Sequence, residues 1–227
     1  MKKNIAMRVA AFLFILTMIS TCAFATTFAK YVTSGTATDE ARVAKWGVTV
    51  SVTGDDAFKT DYAKDDVNYS GTYSVSAVST SRDNLLAPGT NGNLLSVSIE
   101  GTPEVATEVK VEFTFDLGEN WVADGYYCPL VITVGTTDII KGNDFASVDE
   151  FEAAVIAAVL AKCKNDDAAG SAGVYTYDVN DTIDAGVNVT WAWAFEGNDD
   201  AKDTILGSAT AVPTITFGIT VTVTQID

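Results

Sequence analysis

The 227 residues carry 30 acidic and 14 basic side chains, a net charge of −16, no histidine and 48% hydrophobic content. So acidic a chain lacks the basic surface that binding to nucleic acid or an anionic membrane needs, and so apolar a chain has ample material for a core, which argues against disorder. The absence of histidine removes Ser-His-Asp triads, Cys-His pairs, H-E-x-x-H zinc sites and any histidine general base.

In chain order, Met1, Lys2, Lys3 and Arg8 open a basic region, and Val9 to Ala25 follow without an acidic residue. Ala23 and Ala25 stand at the −3 and −1 positions of an A-x-A site, so residues 1–25 read as a signal peptide cut before Thr26. An uncleaved anchor is the alternative, since about 17 apolar-biased residues lie near the lower limit for spanning a bilayer. A lipoprotein anchor at Cys22 is disfavoured by the bulk of Thr21. Cleavage removes three basic residues and no acidic ones, leaving a net charge of −19 on a secreted chain that meets the membrane only as an export precursor. Cys128 and Cys163 then remain, enough for one disulfide in an oxidising compartment but not for a disulfide-built scaffold.

Residues 26–41, TTFAKYVTSGTATDEA, are neither a clean strand, a helix nor a charged linker. The remainder, 42–227, reads as one domain of strands. Val48, Val50 and Val52 alternate with polar residues after Trp46, and GTYSVSAV (71–78) and LLSVSIEG (94–101) follow. In EVKVEFTFDL, Val109, Val111, Phe113 and Phe115 share one face against Lys110, Glu112 and Thr114. PLVITVG (129–135), DIIK (138–141) and VYTYDV (174–179) are shorter candidates. GVNVTWAWAF (186–195) sets Val187, Val189, Trp191, Trp193 and Phe195 on one side. The last strand alternates Ile215, Phe217, Ile219, Val221 and Val223 with threonines. Turn chemistry at Gly54-Asp55-Asp56, Ala87-Pro88-Gly89, Asn91-Gly92-Asn93, Gly101-Thr102-Pro103 and Gly197-Asn198-Asp199-Asp200 separates them.

One helix interrupts this pattern, at about 147–164. Ser147 and Glu150 form a capping box, and Phe151, Val155, Val159 and Cys163 lie along one stripe. The fold class expected is all-β, a jelly-roll-like two-sheet sandwich with one inserted α-helix.

Without histidine, an enzyme would depend on carboxylates, a lysine-assisted serine or a thiol. Glycoside hydrolysis needs two acids about 5 to 10 Å apart across a cleft. Glu112 and Asp116, two pleat repeats apart on an outward strand face, are the least arbitrary pair, and a wetted strand face explains them as well. No catalytic, cofactor or metal residue is assigned. Structural calcium stays open because loops supply Asp55, Asp56, Asp65, Asp66, Asp166, Asp167, Asp199 and Asp200, but residues 178–189 lack the glycine and terminal acid of an EF-hand loop. Trp121, Tyr126 and Tyr127 suit either core packing or a platform for sugars.

The basic start, the apolar run and then TTFAKYVTSGTATDEARVAKWGVTVSV resemble the SipW-type signal peptide and mature N-terminus of the TasA/camelysin group of secreted bacterial proteins. LLAPGTNG (85–92), IEGTPEVATEV (99–109), YYCPLVITV with the helix after it, and the terminal ITVTVTQID are similar to a branch from Gram-positive bacteria. The resemblance implies a jelly-roll subunit of extracellular biofilm-matrix fibres, processed by a dedicated signal peptidase and partnered by further copies of itself in an open filament. It also implies that 26–41 is a donor strand, with Phe28, Ala29, Tyr31 and Val32 entering the sandwich of the next subunit. Main-chain bonds to a sheet edge and side-chain pockets would hold it there. The alternatives are a plain tether or a segment that folds back on its own subunit. Camelysin relatives carry a metallopeptidase label, but this chain has no residues onto which that activity could be carried. The rival functions are a surface module binding glycan or a host protein, and a secreted hydrolase.

Overall fold

Strand alternation in the sequence turns directly into layers. In the computed structural model, residues 32–36, 40–42, 47–54, 57–62, 77–79, 84–194 and 199–226 are described, all within one compact unit, Val32–Asp227. The signal peptide, its cleavage residues Ala23, Ala25 and Thr26, the donor residues Phe28, Ala29 and Tyr31, Trp46, residues 71–76, Phe195, and Asp55, Asp56, Asp65 and Asp66 lie outside the described residues.

The strands are β1 (Val32–Thr36), β2 (Glu40–Arg42), β3 (Val48–Thr53), β4 (Asp61–Tyr62), β5 (Ala77–Val78), β6 (Asn91–Gly101), β7 (Thr107–Asp116), β8 (Leu130–Val134) and β9 (Asp138–Lys141). Helix α1 (Val148–Lys162) follows, then β10 (Ala169–Ser171), β11 (Val174–Tyr177), β12 (Ile183–Trp193), helix α2 (Asp200–Ser208) and β13 (Thr216–Gln225). One sheet has the order β1-β13-β7-β11-β10 and the other β2-β3-β6-β12-β8-β9; β4 and β5 form a separate pair. Every pairing is antiparallel. Successive long strands alternate between the layers, β6 in one, β7 in the other, then β12 and β13, so the chain winds around a shared core. The all-β two-sheet sandwich expected from the sequence is the architecture found.

The apolar rows face each other across that core. From the first sheet come Val109, Val111, Tyr175 and Val221; from the second come Val50, Ile99, Ile132 and Val189, all at most 3% exposed. Burying one such aliphatic side chain contributes roughly 1.5–3 kcal/mol, so the alternation is also the main source of stability. Trp191 lies at the centre of an aromatic group, tilted 5.3 Å from Phe58 and edge-on 6.4 Å from Tyr62. Its indole N–H donates to the Ala57 carbonyl at 2.8 Å, which satisfies the one polar atom that burial would otherwise leave costly.

This tryptophan explains a departure from the sequence reading. Asn91-Gly92-Asn93 is not a turn but the start of β6, with Gly92 opposite Trp191. A Cβ at Gly92 would come within 2.6 Å of the Ala57 carbonyl oxygen and 2.7 Å of Trp191 Nε1. Glycine is there for close approach rather than for a bend. The register also shifts between Val189, opposite Leu95, and Thr190, opposite Asn93, leaving Leu94 as the extra residue of a bulge. That is why two successive leucines are both fully buried.

Helix α1 forms as its sequence dictates. Ser147 Oγ accepts from the Glu150 amide at 3.3 Å, and Glu150 reaches back to accept from the Ala146 amide at 3.1 Å. Phe151, Val155, Val159 and Cys163 are all fully buried, the stripe expected. Glu152 fastens the helix by accepting from the Leu117 amide at 2.8 Å, just beyond β7.

The second helix, α2, is absent from the sequence reading, which places a turn at Asp199-Asp200. It buries only Leu206 and so has no apolar stripe to betray it. Tertiary contacts hold it instead. Tyr127 donates to Asp203 Oδ1 at 2.7 Å, and Lys202 Nζ sits 5.1 Å from the centre of the Tyr127 ring. Burial pushes the Asp203 carboxyl above its ordinary range, aided by Asp199 and Asp200 and opposed by the Tyr127 hydrogen bond and the nearby Trp193 indole.

Candidate functional site

The segment the sequence marks as a donor begins, in its described part, as β1. VTSGT offers one valine, a glycine and three hydroxyl side chains, too little apolar area to drive docking by itself. What it has is a full main chain. β1 lies antiparallel on β13, with Val32 opposite Thr224, Ser34 opposite Thr222, Gly35 opposite Val221 and Thr36 opposite Thr220. β13 is already paired on its other side with β7 over ten residues. β1 therefore satisfies edge N–H and C=O groups that a sheet ending at β13 would leave open.

A few residues later the same stretch borders the other sheet. In β2, Glu40 stands opposite Ser51, Ala41 opposite Val50 and Arg42 opposite Thr49 of β3. β1 touches both β2 and β3. The described residues of this stretch, 32–36 and 40–42, thus line one flank of both layers and pair within their own chain. Val32, the one donor residue among those described, begins this pairing.

The other sequence candidates sit elsewhere and do not converge on that flank. Trp121 and Tyr127 are 1% and 3% exposed, and Tyr126 is half-buried, so this cluster packs the interior and offers no exposed sugar platform. Trp121 Nε1 donates to the Thr214 carbonyl at 3.1 Å, tying the end of β7 to the approach to β13. Glu112 and Asp116 do face solvent. Glu112 is paired with Lys110 at 2.6 Å, and Asp116 accepts from the Gly118 amide at 2.7 Å, so each carboxylate has a local structural use. Among the described residues no three His, Cys, Asp or Glu side chains gather as a cation site. Asp178 to Asp181 form a tight turn, with the Asp178 amide donating to Asp181 Oδ2 at 2.6 Å.

The bond between Cys128 and Cys163, left open by the sequence, is not made; both are free, buried thiols. Cys128 packs under the 3-10 turn Gly142–Asp144, where a Cβ at Gly142 would meet its sulfur at 2.7 Å. Cys163 caps the far end of α1, beside Tyr175 and Tyr177. The helix starts next to the first site and ends at the second, and its 15 residues extend over about 22 Å at 1.5 Å per residue, far beyond the reach of a disulfide. Burial pushes each thiol up to about 12, which keeps both protonated.

Compared with known proteins, the chain matches no family model, no curated protein and no solved structure. The resemblance to the TasA/camelysin group rests on the residues quoted for it above.

Proposed function

We propose that the protein is a secreted structural subunit of extracellular fibres, non-enzymatic, which assembles head to tail by passing its N-terminal segment to the sandwich of the next copy. The observation that carries this reading is the seat of β1 on the outer edge of β13. A pairing made by main-chain groups within one copy is equally available to the same segment of another, so the monomer and the polymer share one contact and differ only in who supplies the strand. Exchange of this kind does not close on itself when each copy donates forward and accepts from behind, and open filaments follow. The acidic surface keeps unassembled copies soluble, and no charge-specific partner is needed.

Two measurements test it. Electron microscopy of chains starting at Thr26 and at Ala44 should show filaments from the first and none from the second; filaments from both overturn the role of the segment. Ser34 and Thr222 are register partners, so Ser34→Cys in one population and Thr222→Cys in another should cross-link between copies once filaments form. Filaments in which only the double variant cross-links, within single chains, would mean that the segment never leaves its own sandwich.

A further inference from the structure

The two layers pinch where β1 lies. Facing sheets normally keep about 10 Å between them, yet Cα atoms of β1, in the first sheet, come within 8 Å of those of β2 and β3, in the second. Among the described residues no other strand of either sheet approaches the opposite layer so extensively. Register shows what meets the pinch. Val32, Ser34 and Thr36 pair with Thr224, Thr222 and Thr220, the threonine row of β13, whereas Thr33 and Gly35 pair with Val223 and Val221, which are 1% and 0% exposed. Directly paired residues of neighbouring strands share a face, so Gly35 belongs to the core face. It lies one residue from the end of β1, where the chain leaves for β2. On β2 the residue opposite buried Val50 is again small, Ala41. A glycine inside a strand weakens it and commonly marks the close approach of another backbone.

We propose that Gly35 is the register pin of this strand: the position on the core face of β1 where the narrowed sandwich leaves no room for a Cβ, so that the strand seats on β13 in a single alignment. A slip of one residue is opposed in any case, because it turns the outward row inward. A slip of two keeps every residue on its face, and main-chain pairing does not distinguish it from the native alignment. It does bring Thr33 or Ala37 opposite Val221 in place of Gly35, and each carries a Cβ into the pinch. For a strand donated to another copy, the same restriction selects one alignment and hence one spacing along a filament; this part of the role rests on the assembly proposed above.

Pairing within single chains tests the pin without filaments. In dilute monomer starting at Thr26, Ser34→Cys with Thr222→Cys reports the native alignment, and Ser34→Cys with Thr220→Cys or Thr224→Cys reports a slip of two. Adding Gly35→Val should lower the native cross-link roughly tenfold or more, the scale of overfilling a packed site, in a chain that still unfolds cooperatively. Thr33→Val, on the same face opposite Val223, should leave it unchanged. Valine favours strands, so a loss in Gly35→Val is not a loss of strand propensity. Gly35→Ala should lie between the two, and serves if Gly35→Val fails to fold. A native cross-link unaltered by Gly35→Val or Gly35→Ala, or reduced as much by Thr33→Val, would overturn the pin. If Gly35→Val monomers lose the cross-link while their filaments keep the parent's yield and spacing, the pin stands and the strand-exchange reading falls.

Discussion

The two flanks of this sandwich are closed by different physics. On one, α1 bridges the layers, touching β7 of the first sheet and β8, β9 and β12 of the second, and drives Phe151, Val155, Val159 and Cys163 fully into the core. On the other, β1 and β2 border the layers with eight residues, VTSGT and EAR, that bring little apolar area. Packing of the first kind is shaped to its own chain, because each side chain fills a particular space. Pairing of the second kind depends on main-chain groups that every copy possesses. In the assembly we propose, a flank closed for stability and a flank open to exchange coexist in one small domain.

Three measurements would break or sharpen that contrast. The largest effect belongs to the helical flank: Phe151→Ala should destabilise the chain by about 3–5 kcal/mol in chemical denaturation, since a fully buried ring is replaced by a cavity. A smaller cost, about 1–2 kcal/mol, is expected for Ser34→Pro, which removes an N–H from the outermost strand, yet this variant should lose filaments altogether while Phe151→Ala, below its melting temperature, keeps them. If Ser34→Pro proved the more destabilising, the strand flank would be as integral to the fold as the helical one.

The third effect is an alkaline pH dependence to which the two thiols on the helical side contribute. Cys128 and Cys163 have folded values raised from 9.0 to about 12 by burial. Between those limits the unfolded chain ionises its thiols and the folded chain does not, so protons are bound more tightly in the fold and stability falls as pH rises. The two thiols should contribute a loss of about 1 kcal/mol each on going from pH 9 to 10, read as the difference between the denaturation curves of the parent and of the Cys128→Ala, Cys163→Ala double variant, which keeps the loss due to the buried tyrosines Tyr62, Tyr126, Tyr127, Tyr175 and Tyr177. Equal losses in the parent and the double variant over that interval would show that the thiols are not sealed in the core.

Particular residues show where sequence reasoning succeeds. Val109 to Phe115 alternate in sequence and in burial because the pleat has a period of two, and solvent on one side enforces it. Ser147 and Glu150 specify the start of α1 because the cap is made by neighbours along the chain. Where the deciding partner is distant, the sequence is silent. Gly92 reads as a turn until Trp191 is brought over it, and α2 is invisible until Tyr127 receives Asp203.

The order of amino acids alone determined which stretches become strands, where the principal helix begins and which faces turn inward, because those choices follow from local periodicity and short-range hydrogen bonds. Only the tertiary structure decided which strands are neighbours, that the two thiols stay apart, and that Val32–Thr36 rests on the edge of β13. Edge pairing uses the backbone, which is alike at nearly every residue, and so it leaves almost no mark in the side chains.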